Sequence, residues 1–279
     1  MIKINDFNIY QVPEILMKLD ISIKRKQPFG LVRFGDGTIK AIHAFLNNDK
    51  DQLKQISNQE GIPIDNFEKI IEFWKTSANI CDFIDSPEVY FSNKFWARTK
   101  KHKKRMSKKT LERLLGWKDL YDQIGIYNTN YCNPEINFLS CVYRGFKRKT
   151  LPDLMKDKKI CCITSRNDVQ IKLNMYNISV LKIPGKNENQ FKSFSSVIEE
   201  INNKALDFDL WLISAGELGR IYPGLIKFKG GRAIDIGSLI DYWCTNELPS
   251  RLIPYIEINK NNPLKLNFTE DGKQYKKFI

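Results

Sequence analysis

The sequence predicts an α/β fold: a Rossmann-like, mostly parallel sheet with crossover helices. From residue 158 onward, short apolar strands alternate with helical segments, which is typical of a parallel sheet. The early segment Phe29–Val32 is continuously apolar, as expected of a strand buried on both faces. Apolar residues make up 42% of the chain and aromatic residues 12%, so we expect a folded protein and not a disordered one.

The chain has 279 residues, enough for one large α/β domain, which we predict over residues 1–279. The charged stretch 147–159 is the best candidate for a subdomain junction, and residues 245–279 form a C-terminal extension. The 45 Lys and Arg residues outnumber 32 Asp and Glu residues, which gives a net charge of +13. This charge favours anionic partners such as nucleotides, phosphorylated substrates, nucleic acid or an anionic membrane face.

The cysteine and histidine content excludes the usual zinc-site spacings. Six cysteines form no Cys-x-x-Cys pair, and there are only two histidines, so little material exists for a thiol or histidine catalyst. The N-terminus lacks the apolar core of a signal peptide, and no apolar run approaches membrane-spanning length. We therefore expect reduced, mostly buried thiols and a cytoplasmic protein, with peripheral attachment to a membrane surface left open.

The first half of the chain opens with a helix at 12–23 and the strand Phe29–Val32. After that strand, apolar residues recur at helical spacing from Ile39 to Leu46, and Thr38 is placed to cap this helix. Apolar periodicity predicts four further helices and one strand in this half. The helices are at 49–57, 65–77, 111–121 and 134–143, and the strand is at 88–92.

The turn after Phe29–Val32 has the features of an anion site. Gly35 and Gly37 flank Asp36 where the strand ends, and the helix that follows points its amide groups and positive dipole end at this turn. Arg33 can fork onto phosphate oxygens, and Asp36 can hold a divalent cation or a sugar hydroxyl. The alternative is a simple turn in which Asp36 bonds nearby amides and Arg33 forms a surface ion pair.

In the second half, the strands are predicted at 159–164, 179–183, 209–214 and 232–236, and the helices at 168–176, 191–203 and 218–229. Ligands of such sheets lie at the carboxyl ends of the strands, so we predict a binding cleft there. The loops at those ends carry small, amide and basic residues, although each loop alone could be a mere connection. They contain Arg166, Lys186, Asn187, Asn189, Gly216, Glu217, Gly219, Arg220, Ser238 and Asp241.

The most basic stretch of the chain, residues 98–109, has eight Lys or Arg residues in twelve positions. Such a run can track a polyanion, dock on an anionic membrane surface or hold an anionic acceptor. A solvated, mobile loop is the alternative, because like charges this dense repel one another. The run lacks interleaved aromatic residues that would stack on bases, so nucleic acid is a disfavoured partner.

Several segments resemble a known family. The motif from Arg33 to Gly37 resembles the R-[FY]-G-D-G-E motif of the bacterial GT-D type glycosyltransferases. Segments at 184–191 and 211–216 follow in the family's order, and 231–237 is similar to its G-x-x-A-I-D-I-G-H ending. Together these segments span residues 29–243. The resemblance implies a Rossmann-like enzyme that transfers a sugar from a nucleotide-sugar donor, a UDP-sugar with Mn²⁺ or Mg²⁺, to a glycan or glycoconjugate acceptor.

By this resemblance, Asp36 lies at the metal and the diphosphate, Arg33 and Lys186 lie near the donor, and Asp235 to Asp241 lie near the sugar. For Asp235, a buried structural hydrogen bond is an equally good interpretation. A carboxylate would activate the acceptor hydroxyl, with Asp36, Asp241 and Glu217 as candidates.

The sequence departs from the family pattern at two positions. Thr38 replaces the second acidic residue of the motif, and Ser238 replaces the histidine after Ile-Gly. One carboxylate in place of two weakens cation binding, since hard cations prefer anionic oxygen ligands. Asp235, Asp241 or Glu217 can substitute for the missing carboxylate. Alternatively, basic side chains can neutralise the departing diphosphate without a metal.

Two other function classes stay open. The missing acidic residue, the missing histidine and the basic run favour a non-catalytic module that binds a nucleotide or a polyanion. A methyltransferase that uses S-adenosylmethionine is a weaker alternative. In such a methyltransferase, the glycine turn and the acidic strand end would follow each other in a different order from the one found in this chain.

Overall fold

The computed structural model describes residues 2–4, 7–85, 119–132, 140–141, 149–185, 190–248, 256–258 and 264–268. Within these residues, nine strands form one sheet in the order β1-β2-β5-β4-β3-β9-β8-β6-β7, and β10 and β11 form a separate antiparallel pair. The strands are β1 Ile2–Ile4, β2 Phe7–Tyr10, β3 Phe29–Val32, β4 Phe83–Asp85, β5 Asn130–Cys132, β6 Lys159–Thr164, β7 Asn177–Lys182, β8 Leu210–Ser214, β9 Arg232–Asp235, β10 Ile256–Ile258 and β11 Leu266–Phe268.

The sheet is parallel from β2 to β7, and only the edge strand β1 runs antiparallel to its neighbour. This confirms the predicted α/β fold class. At the centre of the sheet β3 pairs with β9, with Phe29 opposite Arg232 and Leu31 opposite Ile234. Strands from before and after residues 147–159 therefore share one sheet, and its middle joins distant parts of the chain.

Helices cover both faces of the sheet. The described helices are α1 Val12–Arg25, α2 Asp36–Leu46, α3 Lys50–Glu60, α4 Phe67–Ile80, α5 Leu151–Met155, α6 Val169–Lys172, α7 Phe194–Lys204, α8 Tyr222–Phe228 and α9 Leu239–Thr245. Apolar side chains of α1, α5, α6 and α9 belong to one core. Those of α2, α3, α4, α7 and α8 belong to the other. The molecule is thus a three-layer arrangement with a core on each side of the sheet.

The helices predicted at 12–23, 49–57 and 65–77 are confirmed as α1, α3 and α4. The cap predicted at Thr38 is wrong: Gly35 is the N-cap residue of α2, and the helix begins at Asp36. Gly35 adopts an extended conformation (φ −74°, ψ −178°), and the cap lies three residues earlier than predicted. The hydroxyl of Thr38, inside the helix, instead donates to Glu217.

In the second half, all four predicted strands are present, but two helices are broken up. The helix predicted at 168–176 is the single turn α6. The helix predicted at 218–229 is a 3₁₀ turn, Leu218–Arg220, followed by α8, because Pro223 favours a new helix start there. The helix predicted at 191–203 begins with a 3₁₀ turn at Gln190–Ser193.

Several predictions lie outside the described residues: the strand at 88–92, the basic run at 98–109, and most of the helices at 111–121 and 134–143. All six cysteines are described, free and buried, as expected. Burial raises the pKa of Cys81 to about 12, so this thiol stays protonated at neutral pH. In the described part of the chain, no helix combines the length and the apolar character needed to span a bilayer.

Candidate active site

The carboxyl ends of β3 and β9 lie side by side in the middle of the sheet, and we call the space outside these two strand ends the crevice. The helix after β3, α2, packs into one core, whereas the helix after β9, α9, packs into the other. Neighbouring strands whose connections leave on opposite faces form a topological switch point, where α/β sheets bind their ligands. The motif residues 33–38 follow β3 and residues 236–241 follow β9. The fold thus brings two predicted site segments to one crevice.

Arg33 lies at the β3 side of this crevice and is held by Asp85, the last residue of β4. Its Nε lies 3.6 Å from Oδ2 of Asp85, and the other carboxylate oxygen of Asp85 accepts a hydrogen bond from the backbone N–H of Phe34. Burial raises the pKa of Asp85 to about 7, although Arg33 and the Phe34 amide oppose this rise. Asp85 therefore fixes the backbone and the side chain of the first two motif residues.

Arg220, in the loop after β8, holds the end of β9. Its Nη1 donates to Oδ2 of Asp235 at 2.7 Å, and its Nη2 lies 3.6 Å from Oε1 of Glu217. Burial alone would lower the pKa of Arg220, but the charges of Asp235 and Glu217 raise it above its usual value. The second oxygen of Asp235 accepts from the N–H of Gly237 at 3.0 Å. This network fixes the end of β9.

Glu217 reaches the motif helix from the loop after β8. One of its carboxylate oxygens accepts the hydroxyl of Thr38, and its main-chain carbonyl accepts Nε1 of Trp74 at 2.9 Å. A Cβ at Gly37 would lie only 2.7 Å from Oε1 of Glu217. A side chain at position 37 would therefore force this carboxylate to shift. Glu217 itself is only 5% exposed.

Arg166 follows β6 further along the same edge and holds two carboxylates. It makes a bidentate pair with Asp168 at 2.9 and 2.8 Å, and its Nη1 lies 3.2 Å from Oδ1 of Asp241. The hydrogen bonds from Arg166 lower the pKa of Asp168 to about 2. The side chain of Asp241 is 55% exposed. Asp241 is therefore held in position while it remains open to solvent.

Gly216 turns the chain at the end of β8 with a left-handed backbone conformation, φ +54°. A Cβ there would lie 3.0 Å from Oε1 of Gln190 and 3.4 Å from Oε2 of Glu60, so both side chains crowd this turn. Gly219 is buried, and a Cβ there would lie 3.3 Å from Cγ2 of Ile213, a residue of β8. Gly219 therefore packs against the sheet.

The structure brings most of the predicted site residues to one edge of the sheet, in three groups. Arg33, Gly35, Gly37 and Thr38 follow β3; Asp235 ends β9, and Ser238 and Asp241 follow it; and Gly216, Glu217, Gly219 and Arg220 follow β8. Arg166 follows β6. The backbone of Asp36 begins α2, but its side chain lies outside the described part of the chain, as do Lys186, Asn187 and Asn189.

A divalent cation needs several carboxylate or other donor side chains close together. In the described ranges, no three His, Cys, Asp or Glu residues form a group that could hold a metal ion. Glu217, which lies beside the motif, is already engaged by Thr38 and Arg220. The described residues thus do not form a metal-binding set.

Sequence reasoning missed Asp85. The signal was present, because the segment Phe83–Asp85 is a short apolar pair that ends in a carboxylate. Only the pairing of β4 with β3 brings that carboxylate to Arg33. Tyr121 was also missed: it is fully buried, and its ring packs edge-on against Phe34 with centroids 5.6 Å apart. The ring of Tyr121 therefore packs against the motif segment through Phe34.

Comparison with known proteins identifies the fold. No protein-family model matches the sequence, and no curated protein matches it significantly. One matching solved structure is described with the words that the highly conserved domain of unknown function 1792 has a distinct glycosyltransferase fold. The match covers 97% of this chain and 94% of that chain. Its TM-score is 0.54 and its identity 15%. A selenomethionine-substituted structure of the same domain matches with equal coverage, a TM-score of 0.52 and 16% identity.

A further solved structure, described as a new glycosyltransferase from Streptococcus sanguinis, matches at 15% identity over 96% of this chain and 97% of that chain. Its TM-score is 0.47. The first two matches have higher scores and cover nearly the whole chain. This chain has the glycosyltransferase fold described for the domain of unknown function 1792.

Proposed function

We propose that this protein is a glycosyltransferase that transfers a hexose from a nucleotide-sugar donor, a UDP-sugar, to a glycan or glycoconjugate acceptor. One observation carries the proposal: the segment from Arg33 to Thr38 lies at the switch-point crevice of a fold described for a glycosyltransferase. A diphosphate needs cationic and N–H donor groups, and this segment offers both.

In the proposed mechanism, the first turn of α2 and the guanidinium of Arg33 bind the diphosphate. The helix is 11 residues long, and its first N–H groups have no partners within the helix. Charge builds up on the diphosphate as the glycosidic bond breaks, so donors already fixed in place stabilise the transition state. Asp85 supplies that rigidity because it binds both Arg33 and the N–H of Phe34.

For the base that activates the acceptor hydroxyl, we propose Asp241, with Asp36 as the other candidate. A general base must reach the substrate, and Asp241 is exposed and held by Arg166. Glu217, also predicted as catalytic, is buried and bound to Thr38 and Arg220. We assign it a positioning role, since it ties the loop after β8 to the motif helix.

The described residues form no donor set for a cation, so Arg33 and the amides of α2 would carry the charge of the departing diphosphate. A requirement for Mn²⁺ or Mg²⁺ would need Asp36 as a ligand. Donor hydrolysis with added Mn²⁺ and with EDTA tests this directly. Equal rates in the two conditions would support charge stabilisation by Arg33 and the helix amides.

The test combines thermal shift and donor hydrolysis on the purified protein with UDP, GDP, CMP, UDP-glucose, UDP-galactose and S-adenosylhomocysteine. We expect a uridine species to stabilise the protein and a UDP-sugar to be hydrolysed. Arg33→Gln should abolish both effects, whereas the matched control Lys54→Gln, an exposed change on α3, should leave both intact.

Other outcomes separate the alternatives. Nucleotide binding without hydrolysis or transfer would favour a non-catalytic nucleotide-binding module. Stabilisation by S-adenosylhomocysteine alone would favour the methyltransferase. No response to any nucleotide would contradict the proposal.

A further inference from the structure

A cavity of about 650 Å³ opens at the amino edge of the sheet, opposite the candidate active site. Its walls come from the end of α1, from α5 and the turn that leads into β6, and from β11. The end of α1 directly precedes β3, and the turn directly precedes β6, so both wall segments lie where parallel strands begin. The cavity is therefore separate from the crevice between β3 and β9.

The lining of this cavity is strongly charged. Five lysines and three aspartates face it, which leaves a net charge of +2 on its wall. The lysines are Lys24, Lys149, Lys156, Lys158 and Lys265, and the aspartates are Asp20, Asp153 and Asp157. A concave wall with excess positive charge attracts anions.

The three aspartates do not neutralise these lysines one by one. Asp20 is shared by two of them: Lys24 pairs with one of its oxygens, and Nζ of Lys149 lies 3.7 Å from the other. Two cations around one carboxylate leave a surplus positive charge at this side of the cavity.

Asp153 is fully engaged on the opposite side. Its carboxylate accepts from Nζ of Lys265 at 2.6 Å and from the N–H and hydroxyl of Thr150 at 2.9 and 2.7 Å. The contacts with Thr150 form a capping box at the N-terminus of α5. Asp153 therefore has little capacity left for the remaining lysines.

Lys156 and Lys158 form the third side, in the turn between α5 and β6. Asp157, between them, has a left-handed conformation with φ +59°, and the N–H of Lys158 donates to the carbonyl of Met155 at 3.2 Å. In the part of the chain that the structure describes, no ion pair involves Lys156 or Lys158. Their ammonium groups are thus available to a ligand.

We propose that this cavity binds a small anion of the phosphate class, a phosphate monoester or a diphosphate. Its volume is in the range of small-molecule sites, about 300–1,000 Å³. A multivalent anion matches the surplus charge, and each lysine can donate to phosphate oxygens. The phosphate group can come from a soluble sugar phosphate or from a lipid headgroup. The inference does not depend on the proposed function.

The test measures binding of inorganic phosphate, pyrophosphate and glucose 1-phosphate by thermal shift and calorimetry. The double variant Lys156→Gln/Lys158→Gln should keep the fold, because both residues lie in a turn and form no ion pair among the described residues. When it is combined with Arg33→Gln, which removes diphosphate binding at the crevice, we expect pyrophosphate binding about tenfold weaker than in Arg33→Gln alone. The control Lys54→Gln, which is also exposed, should bind as the unmodified protein does.

Arg33→Gln separates this cavity from the candidate active site. Pyrophosphate binding at the cavity should persist in Arg33→Gln and weaken in the double lysine variant. The reverse result, loss in Arg33→Gln with no change in the lysine variant, would overturn the inference, as would the absence of binding by all three anions and by vesicles.

A vesicle arm distinguishes the two phosphate sources. Sedimentation with phosphatidylglycerol vesicles that is lost in the double lysine variant would assign the cavity to a lipid headgroup. Binding of the soluble anions without vesicle binding would assign it to a soluble phosphate ester. Vesicle binding equal in both proteins, with no soluble-anion effect, would contradict the proposal.

Discussion

Thr38 donates its side-chain hydroxyl to the carboxylate of Glu217, a residue 179 positions further along the chain. At the position where the resembled motif carries its second acidic residue, this chain therefore has a hydroxyl bound to a carboxylate from the loop after β8. Arg220 holds the same carboxylate, with Nη2 3.6 Å from Oε1. A negative charge is thus present beside the motif helix, but it is supplied from another strand end and is already paired.

Restoring the acidic residue should destabilise this protein. Thr38 is 0% exposed, so Thr38→Glu would bury a second carboxylate against Glu217. We expect a loss of about 3 kcal/mol in the free energy of unfolding, measured with urea. The double variant Thr38→Glu/Glu217→Gln should recover part of this loss because the repulsion is removed. A Thr38→Glu protein as stable as the unmodified one would contradict this account.

Breaking the pair between Arg220 and Asp235 should be costly, since their side chains are only 11% and 1% exposed. Arg220→Gln leaves the carboxylate of Asp235 without its guanidinium, and we expect a loss of about 3–5 kcal/mol. A double-mutant cycle with Asp235→Asn should show coupling of about 1–3 kcal/mol. The exposed pair of Lys204 and Glu200 is the matched control, and Lys204→Gln should leave the denaturation midpoint unchanged. Additive effects at Arg220 and Asp235 would argue against a direct interaction.

Asp85 should make stability depend on pH. Its pKa rises from an ordinary value of 3.8 to about 7 in the folded protein, so the folded state keeps a proton that the unfolded chain releases. Stability should therefore fall as pH rises from about 4 to 7 and level off above. Asp85→Asn should reduce the difference in unfolding free energy between pH 5 and pH 8 by about 2–3 kcal/mol. An unchanged pH profile in Asp85→Asn would refute the assignment.

The two motif glycines should tolerate alanine differently. A Cβ at Gly37 would lie 2.7 Å from Oε1 of Glu217, whereas the nearest atom to a Cβ at Gly35 is Nη2 of Arg220 at 3.6 Å. Gly37→Ala should lose about 1–3 kcal/mol in stability and disturb the motif helix. Gly35→Ala, the matched control, should lose less than about 1 kcal/mol. Denaturant unfolding of the two proteins measures this, and equal losses would contradict it.

Much of the fold was predictable because its signals are local. The apolar run Phe29–Val32 and the segment Lys159–Thr164 predicted buried strands, and both are strands of a parallel sheet. Helix periodicity likewise predicted α1, α3 and α4. The breaks at α6 and α8 were missed because apolar periodicity continues through them, while the regular α-helical hydrogen-bond pattern does not.

The candidate site was only partly predictable, because charge pairing across strands leaves no local pattern. The loop containing Gly216, Gly219 and Arg220 looked like an open phosphate loop. Arg220 instead points inward, because Asp235 and Glu217 compensate its charge. Asp85 was missed for a related reason: its importance comes from the strand beside it and not from its sequence neighbours.

The pairing of β3 with β9 has a consequence for how the protein is made. The strand that completes the crevice is synthesised long after the motif that it faces, since Leu31 pairs with Ile234. Until residues 232–239 have left the ribosome, the edge of β3 that pairs with β9 is unpaired. Arg220 likewise has no Asp235 carboxylate to pair with. A nascent chain or a fragment that stops short of β9 can carry the complete motif and still have no crevice. The proposed ligand site is therefore complete only after β9 has been synthesised.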